Sequence, residues 1–218
     1  LRNGKTMQIY PSMSPLQLGG KQGSAVALGY FDGIHIGHRA VIGGAVDWAQ
    51  AHGAAAALFT FKLPGGSKIK GRRLFSVEDK RRIVAGLGIE HYLVPAFADI
   101  MAMTPEQFVL GLVADCRARA FFCGENFTFG AKAAGDPALL KKLCAPLGVE
   151  VHVLPMAAFE GRPVSSTRIR AALEGGDIPA VNAMLGTPYA VRFPVQHGAG
   201  LGRTLGVPTI NQIYPEGY

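Results

Sequence analysis

The stretch from Ser24 to Ala51 constrains this 218-residue chain more than any other. An apolar run, Ser24-Ala25-Val26-Ala27-Leu28-Gly29, passes without a linker into a turn holding Gly33 and Gly37. It then enters an amphipathic segment expected to be helical from about His38 to Ala51, stopped near Gly53. The same alternation recurs downstream. Ala54 to Phe61, His91 to Val94, Ala118 to Cys123 and Glu150 to Leu154 read as strands. Helix starts are marked by Ser76 with Asp79, by Thr104-Pro105 with Gln107, and by Asp136-Pro137. Ser166 to Glu174 and Asp177 to Leu185 read as two short closing helices. Short apolar strands alternating with capped helices predict an α/β fold, a Rossmann-like parallel sheet covered on its faces by helices.

After Leu185 the texture changes. Gly186 to Gly198 is strand-like and is followed by glycine and proline turns without another helical period. We therefore expect a boundary near Gly186, with residues 1–185 forming the α/β domain and 186–218 a β segment. No internal repeat is visible.

The formal charge of +7 points to anionic partners, and its distribution narrows the choice. The cations come in short groups, Lys68-Ile69-Lys70-Gly71-Arg72-Arg73 and Lys80-Arg81-Arg82, separated by ordinary amphipathic sequence. A nucleic-acid arm would be longer and denser, so the groups are either a solvated basic face or a surface for phosphate-bearing small substrates. No nucleic-acid partner is expected. Cys116, Cys123 and Cys144 are odd in number and form no C-x-x-C pair, which fits a reducing cytoplasm and neither a disulfide framework nor a zinc knuckle. No apolar run reaches the length of a membrane span, and Leu1 to Met7 lacks the apolar stretch of a signal peptide. Met7 is a candidate natural start.

The turn after the first strand reads Gly29-Tyr30-Phe31-Asp32-Gly33-Ile34-His35-Ile36-Gly37-His38. Gly29, Gly33 and Gly37 let backbone approach a ligand closely, and the unpaired amides of a helix start favour negative charge. His35 and His38, three residues apart, can face one ligand. Imidazoles near their titration point suit the charge that develops on phosphate oxygens during adenylyl transfer, where positioned donors matter more than a covalent nucleophile. A metal-binding pair or two packing histidines are the alternatives. His52, His91, His152 and His197 are scattered and offer no third ligand at a recognisable spacing. A second element, Val164-Ser165-Ser166-Thr167-Arg168-Ile169-Arg170, puts hydroxyls at a helix start with two arginines in the first turn. It is either an N-cap with a solvated basic face or a pyrophosphate clamp. Arginine there opposes the helix dipole, which an anionic ligand would offset.

Together these segments resemble the bifunctional prokaryotic FAD synthetase family (riboflavin kinase/FMN adenylyltransferase), from about Ser24 to Tyr218. Residues Gly29 to His38 are similar to its nucleotide-binding signature, and Val164 to Arg170 to its second, hydroxyl-and-arginine motif. Gly124-Glu125-Asn126-Phe127-Thr128-Phe129-Gly130 resembles its flavin-side loop, although Phe127 and Phe129 also read as strand core. The family's Phe-Asp-Pro-His-Pro turn is here Phe61-Lys62-Leu63-Pro64-Gly65-Gly66. Gly198 to Asn211, with Pro208-Thr209-Ile210-Asn211, resembles the start of the riboflavin kinase barrel.

The resemblance implies a nucleotidyltransferase domain that joins AMP from ATP to FMN, releasing pyrophosphate and forming FAD, with Mg²⁺ carried chiefly on substrate phosphates. It implies catalytic roles for His35, His38 and Arg168. Nucleotide contacts fall to Gly29, Phe31, Asp32, Gly33, Gly37, Ser165, Ser166 and Thr167, and flavin contacts to Phe61, Asn126, Phe127 and Phe129. Thr209 and Asn211 would hold Mg²⁺ and ATP phosphates in the kinase segment. Because the sequence stops at Tyr218, the barrel is expected to be incomplete and without its activating carboxylate, so no kinase turnover is expected of these residues. A transferase for another phosphorylated acceptor, or a module that binds flavin without catalysis, remains a rival reading.

Overall fold

The computed structural model describes residues 6–64 and 73–213. The basic group at 68–72 and the glycines at 65 and 66 lie outside the described residues. Six strands form one parallel sheet: β1 (Gln8–Tyr10), β2 (Ser24–Leu28), β3 (Ala55–Phe59), β4 (His91–Leu93), β5 (Ala118–Gly124) and β6 (Glu150–Leu154), in the order β1-β4-β3-β2-β5-β6. The Rossmann-like reading holds.

Two cores cover the sheet, as the side-chain alternation of its strands requires. On one face Ala25, Ala27, Ala56 and Leu58 meet Val41, Ile42 and Ala45 of helix α1 (Ile36–Ala51) and Val84 of α2 (Val77–Gly86). The strands are alanine-rich because α1 lies close: a Cβ on Gly44 would come within 2.9 Å of the Phe122 ring. On the other face Val26, Leu28, Phe59 and Phe121 meet α4 (Pro105–Cys116) and α5 (Pro137–Cys144), joined by Leu16 and Leu18 from the first connection. Truncating the fully buried Phe121 to alanine would cost about 3 to 5 kcal/mol. A third, smaller core joins Leu74 and Phe75 to Ile169 of α6 (Ser166–Glu174) and to Val181, Met184 and Leu185 of α7 (Ile178–Leu185).

The helix starts fall where the caps predict. Thr104 and Gln107 close a reciprocal capping box, and Asp136 and Ser76 cap α5 and α2. Some expectations need correction. The first helix begins at Ile36, two residues early, because the His35 ring serves as its N-cap acceptor. The second strand is shorter than Ala54 to Phe61, and beyond it only Lys62 bridges to Ala96. β1, the single turn α3 (Phe97–Ile100) and the hairpin of β7 (Ala158–Phe159) with β8 (Arg162–Pro163) are too short to show a period. After Gly186 the chain forms a two-stranded antiparallel ribbon, β9 (Val195–Gln196) with β10 (Asn211–Gln212). Between them one turn of helix, α8 (Leu201–Thr204), stands where none was expected. Leu201, Leu205, Val207 and Ile210 stay exposed there, so the ribbon has no core of its own.

Candidate active site

In an open parallel sheet, ligands collect outside the carboxyl ends of the strands, where successive connections depart in opposite directions. Here that point lies between β2, whose connection leads to β3, and β5, its neighbour on the other side. Residues 29–38 leave the end of β2, and residues 124–130 leave the end of β5. The topology thus brings together two segments almost a hundred positions apart.

The turn after β2 is strained and tightly held. Phe31 (φ 52°) and Ile34 (φ 43°) are left-handed without being glycine, and their side chains are both 1% exposed. Each such residue costs on the order of 1 to 3 kcal/mol, which persists only where the surroundings over-determine it. Gly33 is also left-handed, and a Cβ on it would lie 2.7 Å from Leu74. The Asp32 carbonyl accepts from the Ser166 hydroxyl at 2.6 Å, and its carboxylate pairs with Arg170. The two predicted motifs are therefore physically joined, with Asp32 committed to α6. The Tyr30 carbonyl accepts from the Thr60 hydroxyl at 2.8 Å and from Lys80 Nζ at 2.6 Å.

Two stacked rings occupy the helix start. His35 and His38 lie 3.6 Å apart, centroid to centroid, at 16°. His35 Nδ1 accepts the His38 backbone N–H at 3.3 Å, which leaves the proton on Nε2. Burial pushes the His35 imidazole down to about 4. The expectation of an imidazole near its titration point is thus corrected for this side chain: it is a neutral donor at neutral pH, because its ring is enclosed. Phe31 does not face a ligand with its ring, since it is buried edge-on to His38 at 5.3 Å and supports it from below. A Cβ on Gly37 would stand in ordinary contact with the His35 ring, at 3.4 Å.

In the second motif, Ser165 caps α6 by accepting from the Arg168 amide, and Thr167 is exposed. The Arg168 guanidinium donates to the carbonyls of Phe159 (2.8 Å) and Arg162 (3.0 Å), pairs with Glu160 at 3.5 Å and lies over the Phe159 ring. It is held by the β7–β8 hairpin. Arg170 is the arginine that reaches the turn after β2, through Asp32.

Beside the turn an apolar cavity of about 280 Å³ begins at Gly29 and is walled by Phe59, Phe61, Phe97, Phe108, Phe127 and Phe129. Phe61 lies between Tyr30 (5.0 Å) and Phe97 (5.1 Å), and Phe127 stacks on Phe129 at 5.7 Å and 14°. Phe129 is 5% exposed and presses on Gly135, where a Cβ would fall 2.6 Å from its ring. Asn126 is exposed, folds towards Gly124 and does not line the cavity. Thr209 and Asn211 lie exposed on the terminal ribbon, where Asn211 pairs with Gln196.

Sequence reasoning missed Phe97, Phe108, Thr60 and Lys80. The first two look like ordinary helix core, and Lys80 looks like one more solvated cation. Their only signal was position: each packs where β3 and β4 end. Among the described residues no three His, Cys, Asp or Glu side chains converge as metal ligands.

Residues 19–168 match the family described as FAD synthetase. The chain belongs to the FAD synthetase family. Residues 185–217 match the riboflavin kinase family as well. The chain is 34% identical over 197 residues to the bifunctional riboflavin kinase/FMN adenylyltransferase of Bacillus subtilis, an alignment covering 86% of this chain and 61% of that one. It is 30% identical over 212 residues to the Escherichia coli K12 protein of the same description, covering 94% and 67%. The chain therefore spans about three-fifths to two-thirds of the length of these relatives. A crystal structure described as a macrolide-efflux protein from Streptococcus pneumoniae shares the fold, with a TM-score of 0.80 at 27% identity over 95% of this chain and 69% of that one. Among the described residues, no helix of this FAD synthetase family member is long and apolar enough to cross a membrane.

Proposed function

We propose that this chain transfers AMP from MgATP to FMN, yielding FAD and pyrophosphate. The observation that carries the reading is the shared residue Gly29: it opens the nucleotide turn and also borders an aromatic cavity suited to a flavin ring. A planar apolar ligand in that cavity would have its polar tail directed at the histidine pair.

In this reading an FMN phosphate oxygen attacks the α-phosphorus, the new P–O bond forms, and the bond to the β-phosphate oxygen breaks. His35 Nε2 and His38 donate to the α-phosphate oxygens as charge develops on them. The amides at the start of α1, with Gly33 and Gly37, hold the phosphates, and Ser165, Ser166 and Thr167 bound the nucleotide from α6. Arg168 exchanges its hairpin carbonyls for pyrophosphate oxygens, a charge-assisted contact. Phe61, Phe127 and Phe129 wall the flavin, with Asn126 outside them at the loop. Mg²⁺ bound to the triphosphate would offset its charge, and Thr209 and Asn211 belong to a kinase half of the parent protein that makes FMN from riboflavin. A boundary near Gly186 is supported by the start of the riboflavin kinase match at residue 185. A cytoplasmic location is supported by three buried, free cysteines.

The test incubates the chain with MgATP and either FMN or riboflavin. FAD and equimolar pyrophosphate are expected from FMN. Adenylylation of a different phosphorylated acceptor instead of FMN would refute the flavin assignment. Flavin binding without pyrophosphate release would refute catalysis.

A further inference from the structure

Within the Lys80-Arg81-Arg82 group, Lys80 turns its ammonium inward, from α2 towards the end of β3. Its Nζ donates to the Tyr30 carbonyl at 2.6 Å and approaches the Thr60 hydroxyl at 3.4 Å, and it lies 5.1 Å from the centre of the Tyr30 ring. Thr60 is fully buried and donates to the same carbonyl. Two donors from two different elements thus converge on one peptide oxygen. That peptide is the one joining Tyr30 to Phe31, and its orientation is set by the left-handed Phe31 whose ring supports His38. A carbonyl rotated away from this geometry would lose both donors inside the protein, where an unpaired polar group is costly.

We infer that Lys80 is a positioning residue for adenylyl transfer: by holding the Tyr30 carbonyl against Thr60 it locks the turn that sets His38 against His35. The inference rests on the transferase reading given above. Lys80 touches no reacting atom; it acts through the turn. Its charge has a second effect. The ammonium faces the Asp32 carboxylate, itself paired with Arg170, and the Arg73 guanidinium beside it, and so contributes to the positive field at the phosphate site. Burial pushes it down to about 8, with Asp32 opposing that fall and Arg73 adding to it. The folded chain therefore carries this charge below about pH 8 and loses it above.

The experiment compares Lys80→Met and Lys80→Gln with the unaltered chain, measuring kcat and KM for MgATP and FMN from pH 6 to 9.5, with circular dichroism melts as the check on folding. Lys80→Met, which removes the donor, is expected to lower kcat roughly 10²-fold, the scale of a small misplacement of catalytic groups. Its KM for FMN should change little. Lys80→Gln, which keeps an N–H for the carbonyl but not the charge, should recover only part of that loss, the remainder being the contribution of the charge. The fall in activity of the unaltered chain above about pH 8 should be absent from both. A kcat for Lys80→Met within twofold of the unaltered chain overturns the inference, as does an alkaline fall that persists in Lys80→Gln. Should Lys80→Met melt below assay temperature, the pH profile of Lys80→Gln decides alone. Failure of the unaltered chain to make FAD would refute the transferase reading instead.

Discussion

Gly135→Ala tests whether the aromatic cavity is the acceptor site. The Phe129 ring lies between Gly135 and the cavity, and a Cβ at 135 would stand 2.6 Å from two of its ring carbons and 2.8 Å from a third. Ordinary contact begins near 3.4 Å, so the ring must retreat by about 0.8 Å. The backbone cannot yield easily, because residues 129 and 135 exchange both amide hydrogen bonds, at 3.0 and 2.8 Å. The ring can move only into the cavity, towards Phe127. Overpacking of this kind costs about 1 to 3 kcal/mol, and in a chain of this size each kcal/mol lowers Tm by roughly 2 to 4 °C. If FMN must push the ring back, the same energy is subtracted from its binding, which raises KM for FMN about 5- to 150-fold. KM for ATP should stay within twofold. The assay pairs steady-state pyrophosphate release with a thermal melt. A fall in Tm with unchanged KM for FMN would show that the displaced ring does not border the acceptor, and the cavity assignment would be lost.

Other perturbations separate the roles of the nucleotide turn. His38→Ala should lower kcat by roughly 10² to 10³-fold with little change in FMN affinity by fluorescence titration, and a nearly unchanged kcat would remove His38 from the chemistry. The enclosed His35 ring binds its proton far more weakly folded than unfolded, so the stability it contributes is complete above its unfolded pKa near 6.5 and is lost as pH falls towards 4. His35→Asn, which can still cap α1, should shrink that acid-side loss by on the order of 2 to 3 kcal/mol in denaturant titrations at pH 4.5 and 7. Asp32→Asn removes the carboxylate that pairs with Arg170 in a site about 15% exposed and should cost about 3 to 5 kcal/mol, whereas Asp32→Asn with Arg170→Gln should cost clearly less; strict additivity would mean the pair is not coupled. Chelation of Mg²⁺ should abolish turnover yet leave the melt of the ligand-free chain unmoved, since a stabilising shift is expected only from a metal bound to the protein itself.

The sheet was legible because β2, β3 and β5 are apolar runs closed by glycine or by a cap, and Thr104 with Gln107 marks its helix without ambiguity. β1 escaped notice: three residues cannot display a period, and Gln8–Tyr10 earns its place by pairing with β4. In the site, the histidines and glycines were readable because their spacing is local. The partners of Arg168 and Arg170 were not legible, since the hairpin that engages Arg168 is two residues on each side, and Arg170 reaches Asp32 across 138 positions. Lys80 illustrates the limit best. Composition makes a lysine beside two arginines a surface residue, and only the packing of α2 against the end of β3 turns it inward.

The nucleotide turn and the acceptor loop leave neighbouring strands, yet no backbone bond of one depends on the length of the other. In the transferase reading, residues 124–135 can be redrawn, and with them the shape that an acceptor must have, while the strained peptide and the stacked rings beside β2 stay as they are. A fold arranged in this way can change its customers without changing its trade. In the transferase reading, the Lys62-Leu63 departure from the family's turn falls on the acceptor side, next to Phe61 of the cavity.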